Sequence, residues 1–193
     1  MGILRRERDE LVALVDLSAA PESVEPPMRA VPDAVDFEDF YRREFPGLVV
    51  LARVLAGPAL AEDVAQEAML VACRKWGTVQ GYASPVGWVR TVCMRKAVSL
   101  VRRRGVEQRV LRQLGSFRAQ PVPRVEEDEW LWQAVRALPL RQAQAVALHY
   151  GLDLPVSEVA ATLGCAEGTV KAHLARARTA LARSLDLSEE ELA

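Results

Sequence analysis

An all-α fold of two small helical domains joined by a flexible linker is what this sequence predicts, on three observations. From Phe37 onward apolar residues recur at three- and four-residue spacing, with no strand-like alternation and no internal repeat. Ala, Val, Leu and Arg dominate and only 6% of residues are aromatic, a mix that favours helices over strands. Charge is segregated: residues 37–104 hold 11 basic and 6 acidic side chains and residues 131–183 hold 6 and 3, whereas residues 105–130 hold 4 and 5. The ends are acidic, with 4 basic and 8 acidic side chains in residues 1–36 and 0 and 4 in residues 184–193. The overall charge of −1 therefore hides two cationic blocks that one polyanion could meet together.

The elements follow in order. Residues 1–36 are an extension with no assignable counterpart. Within it Leu11, Leu14 and Val15 fit a short amphipathic helix, Pro21, Pro26, Pro27 and Pro32 predict disorder over 18–36, and Met28 offers a second translation start. Phe37, Phe40, Tyr41, Phe45, Leu48, Val49, Leu51 and Ala52 predict a first helix that ends at Gly57-Pro58. A second helix spans about Leu60 to Trp76 and opens on Glu62 and Asp63, which suit a helix N-terminus. Gly77 to Pro85 reads as a loop, and Pro85 opens a third helix reaching Arg104. These helices make a first domain, 37–104. Gly105, Gly115, Pro121 and Pro123 break up a tether over 105–129, briefly helical around Glu107 to Leu114 and ending in the acidic run Glu126 to Glu129. Helices at Trp130–Leu138 and Leu140–Tyr150, then a helix pair after Pro155, make a second domain, 130–184, followed by an acidic tail, 185–193.

Several classes are excluded. No apolar run approaches the roughly 20 residues that span a bilayer. The N-terminal MGILRRERDELVALVDL interleaves charge with Leu and Val, unlike a secretory signal, so a cytoplasmic chain with no membrane partner is expected. Cys73, Cys93 and Cys165 form neither a metal spacing nor a disulfide framework and read as small hydrophobes in a reducing compartment. His149 and His173 have no triad-like partners, and no Gly-rich phosphate loop is present. Catalytic residues, metal, cofactor and small-molecule substrate are all expected to be absent.

The most informative stretch is VSEVAATLGCAEGTVKAHLARAR, residues 156–178. It reads as a helix, a tight turn and a second, basic helix. Ala160 sits where the second helix crosses the first and must be small. Gly164 supplies the positive φ of the turn, and Val170 locks the second helix onto the first. Lys171, His173, Arg176 and Arg178 then give that second helix groups that can meet DNA. In the third helix, PVGWVRTVCMRKAVSLVRRR, an apolar stripe of Trp88, Val89, Val92, Ala97, Val98 and Val101 is accompanied by Arg90, Arg95, Lys96, Arg102, Arg103 and Arg104. With Tyr82 in the preceding loop, this combination suits nucleic acid: cations hold phosphates and aromatics stack on exposed bases. In the second helix Asp63, Gln66 and Glu67 share one polar face while Val64, Ala68, Val71 and Ala72 turn towards a core, which suits docking on a basic protein surface.

In this order the parts are recognisable. Residues 37–104 resemble region 2, and residues 130–183 region 4, of the extracytoplasmic-function sigma factors of bacterial RNA polymerase. AEDVAQEAMLVACRKW resembles the family's polymerase-docking segment, and LPLRQAQAVALHYGLDLPVSEVAATLGCAEGTVKAHLARARTAL resembles its helix-turn-helix segment; together the two blocks cover about 120 of 193 residues. The resemblance implies that the chain binds core RNA polymerase and directs promoter-specific initiation through the −10 and −35 elements. It implies core polymerase as partner, through the β′ coiled coil and β flap, with Asp63, Gln66 and Glu67 facing the coiled coil. It implies promoter DNA as the second partner. Tyr82, Trp88, Arg90, Arg95, Lys96, Arg102 and Arg103 would hold the melted −10 strand. Glu167, Thr169, Lys171, His173, Arg176 and Arg178 would enter the major groove at −35. It raises an anti-sigma factor as a further partner, and an acidic linker, Glu126 to Glu129, that mimics RNA in the exit path.

The chain departs from the family pattern in three places. Arg95 and Ser99 replace the usual Asn and Asp of the third helix, Ala166 replaces a capping Ser, and His173 stands where the family has Arg. Thr169-Val170-Lys171-x-His173-Leu174 also resembles the recognition helix of response-regulator output domains, and a helix-turn-helix regulator of that type is the alternative. It leaves residues 37–104 without a role.

Overall fold

The computed structural model describes residues 36–113 and 129–185, and of residues 106–113 the backbone alone. The N-terminal extension through residue 35, the linker segment 114–128 with Glu126, Glu127 and Asp128, and the tail from residue 186 lie outside the described residues.

Eight α-helices and one π-helical turn make up the secondary structure of the described residues. The first helix, α1 (Phe37–Ala56), buries Phe40, Leu48, Leu51, Ala52 and Val54. It ends on Gly57 at φ +87°, whose N–H donates to the Arg53 carbonyl at 2.9 Å. Pro58 then opens α2 (Pro58–Arg74) directly, so one glycine closes a helix and a proline begins the next. The expected loop from Gly77 is partly helical, because a single turn, α3 (Trp76–Val79), seats Val79 in the core. In α4 (Pro85–Gln113) the Ser84 Oγ accepts the Gly87 N–H at 3.0 Å, an N-cap bond. This helix runs past Arg104 and through Gly105, so what reads as the start of a tether is continuous helix.

The second unit comprises α5 (Glu129–Ala137), α6 (Leu140–Val146), a π turn (Ala147–Gly151), α7 (Val156–Leu163) and α8 (Glu167–Leu185). The π turn was not legible as such; it extends α6 to the expected end near Tyr150. The three constrained turn positions behave as the sequence requires. Ala160 and Val170 are buried, and Gly164 is left-handed at φ 65°, ψ 40°. No neighbour lies within 4 Å of a Cβ placed on Gly164, so Gly164→Ala is expected to cost conformational energy alone. That is about 1–2 kcal/mol, or roughly 2–8 °C in melting temperature on a thermal scan.

The two units share one apolar core running from Phe40 in α1 to Leu181 in α8. At the seam, a Cβ placed on Gly151 of the π turn would stand 3.5 Å from Val54 Cγ2, and one on Gly47 of α1 would stand 3.7 Å from Leu152 Cδ2. The Thr91 hydroxyl of α4, which donates to the Gly87 carbonyl of its own helix at 2.9 Å, also reaches the Thr162 carbonyl of α7 at 3.3 Å. Arg136 of α5 donates to the Arg53 carbonyl of α1 at 3.2 Å. Its guanidinium also pairs with Glu129, whose side chain is 7% exposed. Glu129, expected in an acidic RNA-like linker, is thus committed to an internal ion pair.

Candidate nucleic-acid and docking interface

The faces of α8 follow from its 3.6-residue period. Val170, Leu174, Ala177 and Leu181 form the buried stripe. Thr169, His173 and Arg176, at i, i+4 and i+7, share one flank; Glu167, Lys171 and Arg178 share the other. Between the flanks the outward face is small: Gly168, Ala172 and Ala175. Glu167, Thr169, Lys171, Arg176 and Arg178 are exposed, His173 half-buried. This is a smooth ridge with polar groups on both shoulders, a shape that enters a major groove with cations near both backbones. Arg178 is tied back, donating to the Tyr150 hydroxyl at 3.3 Å. The His173 pKa is lowered, first by burial and then by the Arg176 and Arg141 guanidiniums, and its Nδ1 is buried without a partner. Ala166 offers no side-chain acceptor before α8; its carbonyl takes the Thr169 and Val170 N–H groups at 2.9 and 3.2 Å.

On α4 the predicted strand-binding residues separate into faces. Trp88, Arg95 and Arg102 recur every seven residues and share one side; Arg95 and Arg102 are exposed there. Trp88 is half-buried, packed against the core and tilted against Tyr82 with ring centroids 6.1 Å apart. Lys96 and Arg103 take a second side, and Lys96 Nζ stands 3.0 Å from Glu67 Oε2. Arg90 does not join either group. It points at α7, 3.6 Å from Glu158, with its side chain 17% exposed. Beside the loop a cleft of about 200 Å³ is lined by Phe40, Arg43, Trp76, Gln80, Pro85 and Val86.

On α2, Asp63, Gln66 and Glu67 are exposed along one row, over a buried underside of Val64, Ala65, Ala68, Met69 and Ala72. Leu70 extends the row and is 53% exposed, an apolar side chain in solvent that the polar pattern alone does not single out. Its spacing, seven residues from Asp63, was the available signal.

Two family models match the chain: Sigma-70 region 2 over residues 40–106 and Sigma-70, region 4 over residues 128–181. The ECF RNA polymerase sigma factor SigM of Mycobacterium tuberculosis is 30% identical over 154 residues, which is 79% of each chain. The chain belongs to the extracytoplasmic-function sigma factors. The RNA polymerase sigma-E factor of Streptomyces coelicolor is 26% identical over 155 residues, 79% of this sigma factor and 88% of that one. Among solved structures, the sigma factor RpoE of Bartonella quintana, in complex with the anti-sigma factor NepR, superposes with a TM-score of 0.62 at 25% identity, covering 79% of this chain and 98% of that one. CnrH in complex with the cytosolic domain of CnrY gives 0.56 at 20% identity over 78% and 87%, a likeness of fold. The region 2 match gives residues 40–106 the counterpart that the response-regulator alternative lacked, and that alternative is not favoured.

Proposed function

We propose that this sigma factor binds core RNA polymerase through the Asp63–Gln66–Glu67–Leu70 row and reads a promoter with two cationic surfaces, α8 at −35 and α4 at −10. The observation that carries the reading is the combination of a complete helix-turn-helix with a separate basic helix and an exposed polar row, in one chain of this family. Arg95 and Arg102 supply phosphate contacts for a melted strand. The cleft beside the loop offers the Trp76 ring and the Arg43 guanidinium to an unstacked base, whose extraction costs a few kcal/mol. The chain acts as a binding subunit in the cytoplasm, where polymerase and promoter are, and anti-sigma factors are a further class of partner. No helix of the described residues is long and apolar enough to cross a membrane.

Engaging both elements requires α7 to leave α4. Elements named −35 and −10 lie about 25 base pairs apart, roughly 85 Å at 3.4 Å per pair. The Arg90–Glu158 pair and the Thr91–Thr162 bond hold the two units in direct contact instead. In the open form Arg90 becomes available to the strand. The test of the −35 assignment is Arg176→Ala. It is expected to weaken binding to −35 duplex about tenfold, one contact of 1–3 kcal/mol, while core binding by competition assay stays at the parent value. An unaltered promoter footprint would overturn the assignment.

A further inference from the structure

The flank of α8 that carries His173 and Arg176 continues to the end of the helix. Arg183 lies seven residues beyond Arg176 on the same side, and α8 ends two residues later at Leu185. Both arginines are exposed, and among the described residues neither forms an ion pair. The sequence then supplies the opposite charge: Asp186, Glu189, Glu190 and Glu191 follow, with no cation among residues 186–193. Carboxylates beyond a helix C-terminus face the negative end of the helix dipole, which disfavours them along the helix axis. The arginine flank offers them a counter-charge within reach. From Leu185 back to Arg176 is about 14 Å at 1.5 Å per residue, and an extended chain covers that in about four residues.

We propose that the acidic tail, residues 186–193, folds back on the Arg183–Arg176 flank of α8 in the free chain and occupies it in place of promoter phosphates. The contact rests on the −35 reading above and adds to it a competitor carried by the same chain. A tethered segment meets its site at an effective concentration near millimolar, so weak pairs suffice. Exposed pairs are individually weak, and the expected effect on duplex affinity is roughly two- to fivefold. Salt that screens exposed charges removes it. Arg183 separates a docked tail from general repulsion. A tail that merely repels DNA acts whether or not Arg183 is present. A tail seated on the flank loses an anchor with it.

The experiment uses the full chain with Asp186→Asn, Glu189→Gln, Glu190→Gln and Glu191→Gln combined, which keeps the length of the tail. A fluorescent DNA duplex of mixed sequence is read by anisotropy across a salt series. At about 0.05 M salt the neutralised tail is expected to tighten duplex binding roughly two- to fivefold over the parent, and the gain should shrink as salt rises through about 0.2 M. A single-stranded oligodeoxynucleotide of mixed sequence, held by α4 in the same reading, should gain less than half as much. In an Arg183→Gln background the duplex gain should fall by at least half, the non-additivity expected of groups in contact. No gain from the neutralised tail, an equal gain on the single strand, or a gain undiminished by Arg183→Gln would overturn the tail contact while leaving the −35 reading intact. A parent and a neutralised chain that both fail to bind duplex would overturn the −35 reading, and the tail contact with it.

Discussion

Replacing Asp63 and Glu67 together by Lys is expected to weaken binding to core RNA polymerase by at least about 100-fold, while the chain stays folded. Both side chains project from α2 into solvent on one row, and neither contributes to the buried underside of the helix. Two reversals on a face that meets a basic partner place like charges in opposition, at a cost of several kcal/mol. Every 1.4 kcal/mol is tenfold in affinity. The internal cost is small by comparison. The only described ion pair lost is Glu67–Lys96, an exposed contact that contributes less than about 1 kcal/mol to stability. Circular dichroism and thermal scans should therefore match the parent while a fluorescence binding assay with core enzyme shows the loss. Leu70 provides an uncharged check on the same row, because Leu70→Ala removes an exposed apolar anchor and no charge. Unchanged core binding by the double reversal would remove α2 as the docking helix.

The helix-turn-helix was legible because its constraints are local. The small residue, the left-handed glycine and the locking valine fall within eleven residues, and each answers to the geometry of its own turn. The α2 row was legible for the same reason, as periodicity alone sorts its two faces. Residue type alone groups Arg90 with Arg95 and Arg102, but direction separates them. Five residues along a helix turn a side chain by about 140° from its fellow, and Arg90 consequently meets Glu158 rather than the face of Arg95. Glu129 stands beside its acidic neighbours in sequence, but its partner, Arg136, lies seven residues on and is itself bonded to Arg53 of α1, 83 residues earlier. Nothing in a single sequence announces such a contact. Gly105 misled in the opposite direction: one glycine lowers helix propensity by about 1 kcal/mol, less than the neighbouring turns of a long helix supply.

These long-range contacts decide how the two units are held, and Arg136 tests them most directly. Arg136→Ala is expected to destabilise the chain by about 3–5 kcal/mol, the loss that follows when one member of a buried pair is removed. Glu129 keeps a side chain 7% exposed, and its Oε2 already lacks a partner among the described residues. Without Arg136 the other oxygen joins it, and a carboxylate remains buried with no compensating charge. The Arg53 carbonyl suffers less, since the Gly57 N–H still reaches it at 2.9 Å. For a urea slope of about 2 kcal/mol/M, the midpoint should fall by roughly 1.5–2.5 M. Arg136→Met combined with Glu129→Leu removes both charges and keeps volume, so it should recover most of the loss, as apolar replacement of buried pairs often does. That double variant also separates the two duties of Arg136. Stability returns with the apolar pair, but the bond from α5 to the end of α1 does not. Its seam should open more readily, seen as faster amide exchange across α1 and α5 at restored global stability. A midpoint shift below about 0.5 M for Arg136→Ala would show that the pair is a bystander at the seam.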